Sequence, residues 1–160
     1  MQTNIMIVGV GGQGTLLTSR ILGNLAISLG YDVKVSEVHG MAQRGGSVVT
    51  FVRFGDEELF EPIVEEGCAD ILLAFEELEA KRYLHYLKPS GTLIVNTQRI
   101  LPMPVTIGLM DYPDGLIEQM DESCNLVAVD ATGVAREVGN LKTFNVVLLG
   151  HLARYVEDVP

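Results

Sequence analysis

Short apolar runs alternate with segments of helical periodicity along this chain. Residues 5–10 form a short, continuously apolar run, and a glycine-rich loop over residues 9–14 follows at once. Beyond that loop, large apolar residues recur at every fourth position, and a glycine stands where such a helix would end: Leu17, Ile21, Leu25, Leu29 and then Gly30. The pattern predicts a strand, a glycine loop and an amphipathic helix, which is the opening of a doubly wound α/β domain.

The remaining elements follow from the same reading. Apolar and β-branched runs predict strands over residues 33–38, 47–54, 70–75, 92–96 and 126–130, with residues 57–60 as a hairpin partner of 47–54. Helices are predicted over residues 76–87, 115–122, 134–138 and 145–155, and residues 99–113 read as an irregular crossing that holds three prolines. Strands and helices alternate after the first third. The 160 residues fit one domain, residues 1–160.

Charge and targeting signals narrow the function classes. The formal net charge is −10 and the sequence has no basic cluster, which argues against a nucleic-acid partner. Acidic residues crowd 56–66, 76–79 and 111–122, and these stretches fit either a solvated surface or a docking face for a basic partner. There is no basic leader and no apolar stretch near membrane-spanning length, so we expect a cytoplasmic protein that does not enter a membrane.

The first glycine loop is a candidate phosphate site. Residues 9–14 satisfy the pattern G-x-G-x-x-G between a predicted strand and a predicted helix. Glycines there let the backbone approach a phosphate, whose charge the helix N-terminus favours. Glu37, near the end of the second predicted strand, is placed where a dinucleotide-binding fold holds its ribose-binding acid. The alternative is that the glycines only allow the first helix to pack on the sheet.

A second glycine loop follows the second predicted strand. It holds His39, Met41, Gln43 and Arg44 among glycines, and it ends at Gly45 and Gly46. If the second strand runs parallel to the first, both loops lie at the same sheet edge and form one surface. Arg44 then supplies a fixed positive charge for a carboxylate or phosphate. A plain exposed connection is the alternative.

Self-contained catalytic machinery is missing from the sequence. No H-E-x-x-H or G-x-S-x-G motif is present, and no pair of histidines has metal-ligand spacing. Cys68 and Cys124 are far apart, which fits neither a disulfide framework nor an iron–sulfur ligand set, and we expect buried thiols in a reducing compartment. Either a cofactor held elsewhere performs the chemistry or the chain has none.

The two loops together resemble a known family. Residues 8–14 and 35–48, with Glu-Val-His-Gly-Met-Ala-Gln-Arg-Gly-Gly inside the second segment, are similar to the gamma-type domain of 2-oxoacid:ferredoxin oxidoreductases, and most of all to its indolepyruvate branch. The similarity continues through residues 86–91 and 95–97 and covers nearly the whole chain. The pair of loops is fairly specific, whereas the first loop alone is a weak signal.

The resemblance implies a three-layer α/β/α sandwich with a mostly parallel sheet that pairs with a large catalytic subunit. In this family the partner holds thiamine diphosphate and iron–sulfur clusters, and the complex converts a 2-oxoacid and coenzyme A into acyl-CoA, carbon dioxide and reduced ferredoxin. The chain would be an accessory subunit, inactive alone, that meets ferredoxin only indirectly. Carried over residue by residue, the loops facing the coenzyme A path are Gly11, Gly12, Gln13, Gly14, His39, Met41, Gln43, Arg44, Gly45 and Gly46.

Other interpretations remain open from the residues. The first loop and Glu37 also fit a small stand-alone oxidoreductase that binds NAD or a flavin. A third hypothesis is a purely structural module, in which the glycine loops pack against the rest of the domain and bind no ligand. An isolated subunit with an exposed docking face is expected to pair with a second copy. Family members usually continue past the position of Pro160, so both a natural end and a missing C-terminal segment fit.

Overall fold

A six-stranded sheet forms the centre of the molecule. The computed structural model describes residues 1–39 and 45–156. The strands lie in the order β2-β3-β1-β4-β5-β6. They are β1 Gln2–Val10, β2 Asp32–His39, β3 Ser47–Gly55, β4 Ala69–Ala74, β5 Leu87–Asn96 and β6 Asn125–Val129. The helices are α1 Thr15–Ser28, α2 Glu77–Tyr83, α3 Met103–Thr106, α4 Leu116–Asp121, α5 Ala131–Glu137 and α6 Phe144–Ala153, with 3-10 turns at Leu84–Tyr86 and Leu141–Thr143.

The sheet is mostly parallel, as predicted, with one antiparallel strand inside it. β1, β4, β5 and β6 pair in parallel. β3 is antiparallel to both of its neighbours, β1 and β2. β2 therefore runs in the same direction as β1 but is separated from it by one strand. This arrangement decides which loops and side chains can meet at the functional edge.

Two apolar layers sandwich the sheet, because side chains alternate between its faces along every strand. On one face Ile5 and Ile7 of β1 pack with Leu148 and Leu152 of α6. On the other face Met6 and Val8 pack with helices α2 and α4. The predicted three-layer α/β/α sandwich is confirmed, and helices α1, α2 and α5 begin just after the carboxyl ends of β1, β4 and β6.

The buried face of α1 is not the one that its apolar periodicity indicates. Leu17, Ile21, Leu25 and Leu29 are 52%, 42%, 55% and 49% exposed. The residues turned to the sheet are mostly small: Thr15, Thr18, Ser19, Leu22, Gly23 and Ala26. Small side chains let the helix approach β2 closely, since a Cβ on Gly23 would already lie 3.4 Å from Val35 Cγ2. The large apolar stripe stays on the outer surface, although the helix itself and its Gly30 end are confirmed.

Three other expectations are corrected. Residues 57–60 form no strand, and the Leu59 N–H instead donates to Asp32 Oδ2 at 2.7 Å. The helix predicted to reach residue 87 ends as α-helix at Tyr83, and β5 begins at Leu87 and runs through Pro89 rather than starting at residue 92. Cys68 is exposed and Cys124 only partly buried. Across the described residues, no helix combines the length and apolarity that crossing a bilayer requires.

Candidate functional site

The described ends of both glycine loops lie at the carboxyl edge of the sheet, the side on which β1 and β2 end. The first follows Val10, the last residue of β1, and the second follows β2, which runs in the same direction. The strand between them, β3, begins with Ser47 paired opposite Val10. The Gly11 N–H donates to the Gly46 carbonyl at 2.9 Å, which ties the two loops directly. This contact joins the described ends of the two loops, and a shared ligand-facing surface stays a prediction.

Gln13 closes the first loop from the inside. Its side chain is 8% exposed. The amide oxygen accepts from the Val10 N–H at 2.7 Å, and the amide nitrogen donates to the Phe75 carbonyl at 3.1 Å. Gly9 leaves room for this turn, because a Cβ there would lie 3.0 Å from Gln13 Oε1. Gln13 thus joins the ends of β1 and β4, and its side chain points into the protein rather than along the outer loop surface.

The outer surface of the first loop is backbone. Gly12 and Gly14 have φ of 95° and 88°, a region that only glycine adopts easily. A side chain on Gly12 would meet open space, whereas one on Gly14 would lie 3.0 Å from Asn145 Nδ2. Among the described residues, no side chain caps the N-terminus of α1, and its first turn holds no acid. Its N–H groups and dipole therefore favour an anion at this point.

The second loop is described only in part. Gly45 is exposed, with φ of 76°, and Gly46 is half-buried. Met41, Gln43 and Arg44 lie outside the described residues, as does the His39 side chain, while the His39 backbone ends β2 opposite Val48. Of the predicted site residues, the structure brings Gly11 and Gly46 into direct contact, with Gly12 and Gly45 next to them in the chain.

Three buried glutamates at the same edge were missed by the sequence reasoning, which placed them in an acidic stretch open to solvent or to a partner. Glu76, Glu77 and Glu79 are 1%, 5% and 4% exposed. Glu76 caps α2, with its carboxylate accepting from the Glu79 N–H at 2.9 Å. Glu77 pairs with Arg99 at 3.0 Å. Their position directly after an apolar strand, in the first turn of the predicted helix, was the available signal, because acids are enriched at helix starts.

Glu79 holds the start of β3, where the second loop ends. Its carboxylate accepts a hydrogen bond from Ser47 Oγ and pairs with Arg82 at 3.2 Å. Ser47 Oγ also lies 2.9 Å from the Tyr83 hydroxyl. Burial raises the pKa of Glu79, more than the hydrogen bond from Ser47 and the charge of Arg82 lower it. The start of β3 is thereby tied to α2.

A second polar network joins the ends of β4 and β5. Asn96 Nδ2 donates to the Phe75 carbonyl and to Thr132 Oγ1, both at 3.1 Å. Gln98 Oε1 accepts from Gln13 Nε2 at 3.3 Å. These amides fill the point between β1 and β4 where the strand order reverses, which is the usual ligand crevice of an open α/β sheet. The contacts hold loops in place, and no nucleophile and base meet among them.

Comparison with known proteins identifies close relatives. The model of the family described as pyruvate ferredoxin/flavodoxin oxidoreductase matches residues 4–158. The chain is 47% identical over 155 residues to indolepyruvate oxidoreductase subunit IorB of Thermococcus kodakarensis, covering 94% of this chain and 76% of that protein.

Two solved structures share the fold. The pyruvate oxidoreductase subunit PORC of Thermotoga maritima superposes with a TM-score of 0.71 at 24% identity, over 99% of this chain and 79% of that one. The 2-oxoglutarate:ferredoxin oxidoreductase of Magnetococcus marinus, with 2-oxoglutarate, coenzyme A and succinyl-CoA bound, gives a TM-score of 0.73 at 19% identity. That match covers 99% of this chain and 26% of the longer one, so the fold recurs as one part of a larger enzyme.

Proposed function

The chain belongs to the pyruvate ferredoxin/flavodoxin oxidoreductase family, and we propose that it is the gamma-type accessory subunit of an indolepyruvate-type 2-oxoacid:ferredoxin oxidoreductase. The observation that supports this most is the 47% identity to an indolepyruvate oxidoreductase subunit across 94% of the chain. The assembled complex would convert a 2-oxoacid and coenzyme A into acyl-CoA and carbon dioxide, with the electrons passing to ferredoxin. The chain would work in the cytoplasm and be inactive without its partner.

The redox cofactors belong to the large catalytic subunit in this proposal. An all-cysteine iron–sulfur cluster takes four thiolates, and this chain has two cysteines. In the described part of the chain, no group of three histidine, cysteine, aspartate or glutamate side chains is arranged to hold a metal ion. Thiamine diphosphate and the clusters would lie on the partner, as the family resemblance implies, and this chain would meet ferredoxin only indirectly.

The two glycine loops would form one wall of the coenzyme A path. Gly11, Gly12, Gly14, Gly45 and Gly46 offer backbone that a large ligand can approach closely, and the uncapped α1 N-terminus favours its phosphate groups. His39, Met41, Gln43 and Arg44 would complete the wall from the second loop. Gln13 would support the wall without contacting the ligand, because its buried amide hydrogen bonds hold the first loop in its conformation.

Charge makes Arg44 the residue to test. The chain has a net charge of −10, so a phosphate-bearing ligand needs a local cation. Two described arginines near this edge are already engaged: Arg82 pairs with Glu79 at 3.2 Å and Arg99 with Glu77 at 3.0 Å. Arg44, within the second loop, would supply the charge, and a charge-assisted hydrogen bond contributes roughly 1.5–3 kcal/mol.

A stand-alone NAD or flavin enzyme is not favoured. In a dinucleotide-binding fold the second strand lies next to the first, so that its acid reaches the ribose. Here β3 separates β2, which contains Glu37, from β1. The crevice beside β1 is filled by the Gln13 and Gln98 amides, which hydrogen bond at 3.3 Å.

The decisive experiment uses the complex reconstituted from this chain and its catalytic partner. We expect Arg44→Ala to raise the KM for coenzyme A roughly 10- to 100-fold while the complex still assembles. Arg154→Ala is the matched control, because this exposed arginine follows α6 at the opposite edge, and it should leave the KM unchanged. An unchanged KM in Arg44→Ala would remove the loops from the coenzyme A path. Failure of the wild-type chain to bind a thiamine-dependent partner would overturn the subunit assignment itself.

A further inference from the structure

An exposed apolar segment projects from the carboxyl edge beyond β5. Residues 101–110, which we name the apolar arm, have the sequence Leu-Pro-Met-Pro-Val-Thr-Ile-Gly-Leu-Met and contain no ionisable side chain. Five large apolar side chains are more than half exposed: Leu101 53%, Met103 69%, Ile107 60%, Leu109 77% and Met110 59%. Contiguous apolar exposure of this kind marks an interaction surface in a folded protein.

The arm is anchored at both ends by one buried carboxylate. Glu76 Oε1 accepts from the Ile100 N–H at 3.2 Å, just before the arm. The same oxygen accepts from the Tyr112 hydroxyl just after it. The Tyr112 hydroxyl in turn accepts from the Leu78 N–H at 3.0 Å. Burial and the adjoining Glu76 raise the pKa of Tyr112, so its hydroxyl keeps the proton that it donates.

The arm also has internal structure of its own. It contains α3, and the Ile107 N–H donates to the Met103 carbonyl at 3.0 Å. The Leu109 N–H donates to the Pro104 carbonyl at 2.8 Å, which folds the arm back on itself. These backbone bonds define its shape without covering its apolar side chains, so the surface is ready to bind and little ordering is needed.

The position of the arm joins it to the proposed partner-facing surface. Glu76, its anchor, directly follows Phe75, whose carbonyl accepts from Gln13 of the first glycine loop at 3.1 Å. The arm and the glycine loops therefore occupy the same edge of the sheet. A partner that covers the coenzyme A path lies within reach of both.

The flanking charges indicate the kind of partner. Asp111 follows the arm directly and is exposed. Asp114, 95% exposed, pairs at 3.4 Å with Arg99, which stands just before the arm. The further acids Glu118, Asp121 and Glu122 are exposed, so carboxylates remain in excess around the arm. A second copy would bring the same carboxylates together, in chains that already have a net charge of −10. A surface with an apolar centre and basic edges complements the arm, whereas another copy of it does not.

We propose that the apolar arm docks into an apolar cleft bordered by lysine or arginine residues on the large catalytic subunit. This inference rests on the proposed function for the identity of the partner. The arm would supply binding energy through Ile107, Leu109 and Met110, and the acids after it would direct the encounter. The glycine loops would then be positioned over the active site by the docked arm.

The test measures the Kd between the full chain and the catalytic subunit by titration calorimetry. We expect Leu109→Ser to weaken binding roughly 10- to 100-fold, the value of burying one leucine side chain. Phe60→Ser is the matched control, because Phe60 is 83% exposed and flanked by acids but lies near the opposite edge of the sheet. It should bind like wild type. Asp111→Asn should slow association a few-fold at low salt and lose that effect at high salt.

The outcomes separate docking through the arm from the proposed role of the glycine loops. Wild-type affinity in Leu109→Ser, or equal weakening in Phe60→Ser, would overturn docking through the arm. The arm would also be excluded as a partner site if Leu109→Ser instead dissociated a dimer of this chain. Arg44→Ala should bind the partner normally. If its KM for coenzyme A stayed at the wild-type value while Leu109→Ser still weakened binding, only the role of the glycine loops would be refuted. If the wild-type chain did not bind the catalytic subunit, both proposals would fail together.

Discussion

The two edges of the sheet handle polar groups differently. At the amino edge, polar groups meet while still in contact with solvent. Lys88 pairs with Asp70, and their side chains are 38% and 23% exposed. His85 lies 3.5 Å from Glu66, and both side chains are exposed. At the carboxyl edge, Gln13, Glu76 and Asn96 are 8%, 1% and 0% exposed and bond mainly to backbone groups.

The difference separates exposed ion pairs, which stabilise the fold little, from buried polar side chains, which hold loops and strand ends in position. An exposed ion pair contributes little, because water and salt screen it. A buried polar side chain costs free energy unless its hydrogen bonds are made, so it remains only where those bonds hold something in place. At the carboxyl edge they hold the first glycine loop, the start of β3 and the ends of the apolar arm.

The comparison predicts its largest effect at Gln13. Gln13→Leu should lower the free energy of unfolding by about 2–3 kcal/mol, because the buried Val10 N–H loses its acceptor. Urea denaturation followed by circular dichroism measures this. Gln2→Leu, at an exposed glutamine of the amino edge, should change stability by less than about 0.5 kcal/mol. Equal losses of unfolding free energy in Gln13→Leu and Gln2→Leu would show that polar groups at the two edges do not differ in this way.

A smaller effect is expected in the pH dependence of stability at Glu79. Its pKa is raised in the folded protein, mainly by burial, so the folded chain keeps a proton that the unfolded chain releases. Stability from this group is therefore present at low pH and falls as the pH rises from the ordinary glutamate value through the raised one. Glu79→Gln should remove that fall.

Unfolding free energies of wild type and Glu79→Gln between about pH 4 and pH 8 provide the measurement. The difference, wild type minus variant, should decrease as the pH rises. Glu122→Gln, at an exposed position, should leave the pH profile as it is in wild type. A difference that grows with pH would mean that the carboxylate is stabilised in its charged form and that the burial argument is wrong.

The smallest effect is expected at the amino edge. Lys88→Met should lower the free energy of unfolding by less than about 1 kcal/mol, because Lys88 is exposed and Asp70, partly exposed, keeps the Asn4 N–H as a partner. The loss should shrink further in high salt. A loss above 2 kcal/mol, as for a buried group, would show that the two edges do not differ in the way described.

Helix α1 shows how far local patterns reach. Periodicity identified the helix and its glycine end, but it assigned the large apolar stripe to the core. Which face is buried depends on the distance between helix and sheet, and close packing against β2 selects the small residues. A sequence window contains no information on that distance.

The buried glutamates show the same limit at the site. Acidic residues at 76–79 normally indicate a solvent-facing segment. Their partners are remote in sequence: Ser47 for Glu79, Arg99 for Glu77, and Tyr112 for Glu76. By contrast, both glycine loops were evident, because glycine and proline patterns report the local backbone directly.

The amino-acid sequence by itself determined the α/β class, five of the six strand positions closely, the two glycine loops and the resemblance to the oxidoreductase family. Those properties depend on local hydrophobicity, backbone freedom and the identity of nearby residues. Only the tertiary structure decided that β3 lies between β1 and β2, that Gln13 turns inward, and that Glu76 anchors an exposed apolar arm. Strand pairing and buried hydrogen bonds join residues tens of positions apart, and their free energy exists only once the chain has folded.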